Sequence, residues 1–338
     1  MTMQYVLVTG ATGLVGAHVV HCLLRKDFKV RAVVRSKTKA QNMLQSFEIF
    51  AARLDFYFID DLTAPGVFQN AMKDIDGVIH IASPLNYQVA DKENELIIPA
   101  IKGVQSVLQA SNGTTVRRVV MTSSFGAVLD MARDESTPYT YSSTDWNPIT
   151  YSEAADPTAT PQDAYRGSKV LAEQEAWNFV KAEKPQFDLV TLCPSMIFGP
   201  VASTLSSPQD LNESNRMIWK VSTAGSSSPL PPARFNFWID VRDLAEIHVQ
   251  ALVNPVAGGK RYIPVSPEKF NYQIVSEIML QDVPGISVDS VSRGQQSLKH
   301  HINVDKADME KDFPLVKYTK LKETLMDFMS QVLSVHKS

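Results

Sequence analysis

An apolar run, Tyr5-Val6-Leu7-Val8, passes directly into Thr9-Gly10-Ala11-Thr12-Gly13-Leu14-Val15-Gly16, and Ala17-His18-Val19-Val20-His21-Cys22-Leu23-Leu24 then carries a helical pattern. A strand, a glycine-rich turn and a helix in that order constrain the chain more than any other feature. They are the context that a dinucleotide-binding fingerprint requires. In a Gly-x-x-Gly-x-x-Gly spacing, Gly10 permits the tight turn out of the strand, Gly13 lets the backbone approach a pyrophosphate, and Gly16 lets the helix pack closely on the sheet. The pyrophosphate would sit on free amides at the positive end of the helix. Thr12, Leu14 and Val15 complete the turn around it. An ordinary strand-to-helix turn can also be rich in glycine, but here the start, the spacing and the flanks all agree on a cofactor.

The rest of the first half alternates strand and helix patterns, the signature of a parallel sheet covered on both faces. Residues 29–35, 54–59, 77–84 and 118–124 read as strands two to five. Residues 37–50 and 94–109 read as helices. Residues 134–163 are rich in Ser, Thr, Pro, Asp and Tyr and read as a long loop, a length often tied to function. The alternation resumes with a helix over 164–181 and a strand over 188–194. Beyond Gly199-Pro200 the pattern loosens, with helices near 215–223, 243–253, 271–282 and 319–335, a strand-like 235–240 and a hairpin turn at Gly258-Gly259. The expected fold is α/β: a doubly wound parallel sheet of Rossmann type over residues 1–194, with later contributions around 235–253, and a smaller substrate-binding lobe over 195–338.

The chain has 338 residues, 44% of them apolar, enough for one large or two intimately packed domains. A net charge of −3 and the lack of any Lys/Arg-rich run argue against nucleic acid or an anionic membrane as partner. No run of 18 apolar residues exists, and the fingerprint strand begins too early to leave room for a signal peptide. Cys22 and Cys193 read as free thiols without metal-ligand spacing. A cytoplasmic protein, a monomer or loose homodimer working on a small molecule, is the expectation.

The end of strand two discriminates between cofactors. An NAD site commonly places a carboxylate there for the ribose 2′-OH, whereas an NADP site needs positive charge. This chain has Arg35-Ser36-Lys37-Thr38-Lys39. Arg35 can stack on adenine and bond a 2′-phosphate, Ser36 can donate a hydroxyl, and Lys39 can add a point charge. Cations at a helix start are disfavoured by the dipole unless an anion accompanies them. The cofactor is therefore expected to be NADP. After strand three, Asp61 and Leu62 are placed to contact the adenine; Asp61 can equally cap the following segment.

Tyr165-Arg166-Gly167-Ser168-Lys169 puts Tyr165 and Lys169 four residues apart, on one face of a helix. An adjacent ammonium favours the phenolate. Moving a phenol from about 10 toward 7 takes about 4 kcal/mol, which Lys169 and a positively charged nicotinamide together can supply. Such a tyrosine exchanges protons with an alcohol oxygen near neutral pH. The spacing alone is weak, but strand five ends in Thr122-Ser123-Ser124, and functional residues gather at the carboxyl ends of parallel strands. Ser124 would bond the substrate carbonyl beside Tyr165.

With these landmarks the chain resembles an extended short-chain dehydrogenase/reductase. Within that superfamily it is similar to the branch of dihydroflavonol reductases, cinnamoyl-CoA reductases and fungal aldehyde/ketone reductases of methylglyoxal reductase type. The likeness runs over nearly the whole chain, through residues 9–16, Arg35, Asp61-Leu62, His80-Ile81-Ala82-Ser83-Pro84, Thr122-Ser123-Ser124, residues 165–169 and Pro194-Ser195-Met196-Ile197-Phe198-Gly199-Pro200. The resemblance implies Ser124, Tyr165 and Lys169 as the catalytic set. It implies that Ile81, Ala82 and Ser83 pass behind the adenosine and that Pro194, Met196 and Ile197 lie near the nicotinamide. The asparagine that the superfamily often adds after strand four is missing from Ile98-Pro99-Ala100-Ile101-Lys102-Gly103, so a triad is expected.

Leu85, Phe125, Val201, Leu205, Met217, Phe237 and Trp238 are the expected pocket walls, an apolar and aromatic set without an arginine for a substrate carboxylate. The expected activity is NADPH-dependent reduction of hydrophobic aldehydes and ketones, including aryl ketones and keto esters, to alcohols, with Tyr165 as proton donor and no metal. Two other readings share the fold. A nucleotide-sugar epimerase or dehydratase that retains NAD is disfavoured by Arg35. A non-enzymatic NADP-binding sensor is disfavoured by the intact Ser124, Tyr165 and Lys169. Asp240 and Asp243 read as helix-capping residues, and His80, His248, His300 and His301 as structural or solvated.

Overall fold

In a computed structural model, residues 4–84, 89–134 and 136–336 are described. Seven strands form one parallel sheet: β1 (Tyr5–Thr9), β2 (Lys29–Val34), β3 (Leu54–Phe58), β4 (Gly77–His80), β5 (Arg118–Thr122), β7 (Asp188–Leu192) and β10 (Arg261–Tyr262), in the order β10-β7-β5-β4-β1-β2-β3. The period of two along β1 shows why the sheet needs cover on both faces. Val6 and Val8 point into one core, Tyr5 and Leu7 into the other. Helices α1 (Leu14–Arg25), α2 (Lys37–Ser46) and α7 (Val241–Val253) close the first face; α3 (Ile98–Ser111) and α5 (Pro161–Glu183) close the second. The strand order reverses between β1 and β4, which opens a crevice at the carboxyl ends of the strands.

Later chain returns to this sheet as well as building beside it. α7 covers a face and β10 extends an edge. Elsewhere β8 (Met196–Phe198) pairs in parallel with β9 (Trp238–Asp240), and α6 (Glu213–Thr223), α8 (Tyr272–Asp282) and α10 (Leu321–His336) pack over them around Phe198, Trp238, Phe270 and Phe328. Within the Ser/Pro-rich stretch read as a loop, β6 (Tyr139–Tyr141) pairs with β11 (Ile302–Val304) and α4 (Tyr151–Ala155) starts on a capping box between Thr150 and Glu153. α9 (Ala307–Asp312) completes the set.

Local expectations change in two places. The helix expected over 37–50 stops at Ser46, because Phe47 leaves helical geometry to bury its ring; a 3-10 turn over Glu48–Arg53 follows. Gly258-Gly259 makes no hairpin: it leads into β10, which pairs in parallel with β7. Among the described residues no helix is long and apolar enough to cross a membrane, and no group of His, Cys, Asp and Glu is arranged to hold a metal.

Candidate active site

The turn after β1 is built on close backbone approach. Gly10 has φ +66°, and a Cβ there would lie 2.8 Å from the Ala82 amide nitrogen. A Cβ on Gly16 would lie 2.1 Å from the Gly10 carbonyl oxygen, so only glycine lets α1 pack at this angle. Thr9 ties β1 to the end of β4: its hydroxyl accepts from the amides of Ile81 and Ala82, each at 3.1 Å, and bonds His80 Nδ1 at 2.8 Å. α1 then begins at Gly13 with no side-chain cap and no acidic residue in its first turn. Its free amides and dipole are left for an anion.

A cavity of about 810 Å³ follows the carboxyl ends of the strands. Gly10, Thr12, Gly13, Leu14, Val15 and Gly16 line it, with Ile81, Ala82 and Ser83 after β4 and Leu62 after β3. Arg35 and Lys39 line it after β2, and neither side chain makes a hydrogen bond or ion pair among the described residues. An uncapped helix start beside two uncommitted cations fits a dinucleotide carrying an extra phosphate. Ser36 and Asp61, expected to face the cofactor, do not line the cavity. Both short polar side chains serve the local backbone instead. The Ser36 hydroxyl accepts from Lys39 N at 3.3 Å to cap α2, and Asp61 accepts from the Thr63 amide at 2.8 Å and its hydroxyl at 2.7 Å.

At the other part of the cavity, Ser124, Tyr165 and Lys169 converge with Pro194, Met196 and Ile197. Thr160 caps α5, its hydroxyl accepting from Asp163 N at 3.1 Å, and Pro161 occupies the first turn. One turn of helix then separates Tyr165 from Lys169, whose Nζ lies 5.9 Å from the phenol ring centroid. Ser124 lies two residues past the end of β5. Its Oγ accepts from Gly126 N at 3.0 Å, and its hydroxyl bonds the Tyr165 phenol. Capping and contact with the tyrosine are thus both met by one side chain.

Burial pushes the Tyr165 phenol up, with the Ser124 hydrogen bond pulling the other way. The Tyr165–Lys169 spacing alone implies the opposite sign. Desolvation of the phenolate dominates, and Lys169, with its Nζ 5.9 Å from the ring centroid, does not reverse it. Burial also pushes Lys169 down, to about 8, against the Glu173 carboxylate. His80 is pushed down to about 3 by burial and the nearby Lys169, so it is a neutral hydrogen-bonding group.

Of the expected walls, Phe125 and Met217 line the cavity. Phe125 is also core, edge-on to Tyr141, Phe235 and Phe237. Trp238 is a correction: it is fully buried beside Phe198 and does not reach the cavity. Its neighbour Phe237 points the other way, into a separate core, as alternate residues of an extended segment must. Leu205 is core, Val201 packs against the same cluster, and Leu85 lies outside the described residues. The wall also holds two arginines. Arg166 is buried and paired with Asp163 at 2.7 Å, while Arg234 is exposed at the cavity.

Sequence reasoning missed Ser195 and Asn212. Ser195 Oγ and Asn212 Oδ1 are buried without a hydrogen-bond partner among the described residues, and their residues line the cavity, the state expected of groups that meet a ligand. Ser195 lay between residues already singled out; Asn212, at the start of α6, gave no signal in the sequence. His248 bonds Thr122 at 2.7 Å and the Leu244 carbonyl at 2.8 Å, and is structural, as expected. Asp240 caps α7 through Arg242 N at 2.7 Å.

Residues 6–271 match the model of the NAD dependent epimerase/dehydratase family. The chain is 33% identical to the NADPH-dependent methylglyoxal reductase of Saccharomyces cerevisiae over 340 residues, 97% of this chain and 98% of that one. It is 33% identical to a ketoreductase of Aspergillus niger over 286 residues, 81% of each. Among solved structures, the yeast methylglyoxal/isovaleraldehyde reductase complexed with NADPH superposes with a TM-score of 0.89 at 31% identity, over 99% of both chains.

Proposed function

The chain belongs to the NAD dependent epimerase/dehydratase family of extended short-chain dehydrogenases/reductases, and from that premise we propose that it reduces hydrophobic aldehydes and ketones to alcohols at the expense of NADPH. The observation that carries this reading is the single cavity joining Arg35 and Lys39 to Ser124, Tyr165 and Lys169. The oxidoreductase chemistry and the NADPH dependence of the most similar relatives support it. So does the absence of a carboxylate from the Arg35 to Lys39 stretch, which disfavours an epimerase retaining NAD.

When bound, NADPH supplies the hydride. The residues of the chain supply orientation and the proton. Ser124 and Tyr165 hold the carbonyl oxygen between two hydroxyls, which polarises it and fixes its position. Tyr165 gives its proton to the oxygen as charge develops there, and its raised pKa keeps that proton in place until it is needed. Lys169, behind the tyrosine, replenishes the proton. Arg35 and Lys39 hold the phosphate that distinguishes NADPH from NADH. Phe125 and Met217 present an apolar wall suited to aryl ketones and keto esters.

The direct test follows nicotinamide absorbance with purified protein, NADPH or NADH, and a panel of aliphatic and aryl aldehydes, ketones and keto esters. Loss of NADPH absorbance with little loss of NADH absorbance supports the reading. A protein that oxidises neither cofactor with any carbonyl overturns it.

A further inference from the structure

Eight residues beyond Tyr165 and four beyond Lys169, Glu173 continues the same stripe of α5, and its side chain is fully buried. No step of the reduction uses it. A buried carboxylate is costly unless it is paired and hydrogen-bonded, and this one collects donors from every element around it. Arg261 of β10 grips both oxygens, Nε at 2.8 Å and Nη2 at 3.2 Å. The Ser123 hydroxyl donates at 2.6 Å, Trp177 Nε1 at 3.5 Å and the Cys193 thiol at 3.5 Å. Ser123 precedes Ser124, and Cys193 precedes Pro194. Arg261 also donates to the carbonyls of Ala127, Ser143 and Asp145, and lies 4.0 Å over the Trp146 ring. The carboxylate therefore joins the helix carrying Tyr165 and Lys169 to the strand end carrying Ser124 and to the segment carrying Pro194.

Lys169 lies one turn before Glu173 on the same face of α5. It is 6% exposed, and its amine makes no hydrogen bond or ion pair among the described residues. The groups facing it are the Tyr165 ring and Glu173 from α5, His80 from β4 and Cys193 after β7. Burial holds His80 and Cys193 in their neutral forms. Glu173 is the one carboxylate among these groups, and Arg261 lies beyond it.

We propose that Glu173 is a positioning residue for the reduction: its carboxylate fixes α5 against the segments that carry Ser124 and Pro194, and its negative charge keeps Lys169 in the ammonium form. This rests on the reductase reading above, so the test reads Lys169 apart from turnover. The Lys169 side chain is titrated by 13Cε NMR in lysine-labelled protein, assigned with Lys169→Met. Glu173→Gln is isosteric but uncharged, and its Lys169 midpoint falls by about one unit or more. Glu173→Asp keeps the charge and stays near wild type in the midpoint. In turnover, Glu173→Gln lowers kcat by about 10- to 100-fold and brings the alkaline fall of the pH profile to lower pH, with KM for NADPH nearly unchanged. Where Glu173→Gln leaves Arg261 buried and unpaired and the protein fails to fold, Glu173→Gln/Arg261→Met removes both charges; because the guanidinium lies beyond the carboxylate, its loss offsets only part of the effect, and the Lys169 midpoint still falls, by less than in Glu173→Gln. A Lys169 midpoint unmoved in the folded variant overturns the proposal, whether or not the wild-type protein reduces carbonyls. A wild-type protein inactive on every carbonyl overturns the reductase reading and leaves the titration to judge the charge on Lys169.

Discussion

Tyr165 and Lys169 are displaced by the same cause in opposite directions, because burial penalises the charged form of each. The phenol moves up and the ammonium moves down, to about 8. A proton donor in reduction needs both groups protonated. That condition holds at neutral pH and fails as pH rises through the Lys169 value. Reduction measured by initial rates at saturating NADPH is therefore expected to be level near pH 7 and to fall above about 8; a profile still rising at pH 9 contradicts the relay. Tyr165→Phe keeps the ring and removes the proton. Its turnover is expected to drop by about 10²- to 10⁴-fold, while NADPH binding, followed by fluorescence, stays near wild type. A variant that keeps a tenth of the wild-type rate rules out the proton-donor role. At this scale the meeting of Tyr165 and Lys169 was legible because the Tyr-x-x-x-Lys spacing is itself the geometry of one helix face. The sign of the Tyr165 shift was not, since burial depends on what packs over the phenol. Trp238 misled for a related reason: an aromatic residue suits a pocket wall and a core equally well, and only the direction of its side chain decides.

Elements come to this site through backbone contacts that tolerate little change. A Cβ at Gly16 would meet the Gly10 carbonyl at 2.1 Å, whereas one at Gly13 would meet the same oxygen at 3.4 Å, an ordinary contact. Gly16→Ala is therefore expected to force α1 away from the turn, at about 1–3 kcal/mol in stability, with a lowered Tm and weakened NADPH binding together. Gly13→Ala is expected to keep its Tm within a few degrees and lose NADPH affinity alone, because there the added methyl competes with the ligand. Thermal unfolding and NADPH titration on the two variants separate these outcomes; equal Tm losses would contradict the assignment. Strands and long helices were legible from period and length. The end of α2 was not, because Phe47 leaves the helix to bury its ring in a core formed by distant segments. The β6–β11 pair was hidden for a similar reason: its register joins residues 139–141 to 302–304, and neither segment is long enough to declare itself.

For the molecule as a whole, a parallel sheet and an added lobe could be expected from alternation followed by irregularity. The return of α7 and β10 to the sheet was only partly legible, since two-residue β10 carries no pattern of its own. This assembly buries His80 and His248 completely as neutral rings, pushed down to about 3 and about 4. In the unfolded chain both titrate near 6.5. A folded value below the unfolded one means that stability is fully present above about 6.5 and is lost as pH falls from there toward the folded values. At pH 5.5 each ring is expected to cost about 1.4 kcal/mol. Asp243, raised to about 6 by burial, acts the other way, because its folded form binds a proton more readily than its unfolded form. Over the same interval it returns somewhat less than 1 kcal/mol. Carboxylates whose values are lowered titrate in the unfolded chain mainly below this interval. His18 and His21 are also lowered by burial and act in the same direction, so the protein is expected to lose at least about 2 kcal/mol of unfolding free energy between pH 7.5 and 5.5, measured by urea denaturation at each pH. His248→Gln removes one of the two most strongly lowered rings and is expected to reduce that loss by about 1.4 kcal/mol. A wild-type protein equally stable at both values would mean that other groups offset the two buried rings, and an unchanged slope in His248→Gln would mean that His248 is not held neutral by the fold.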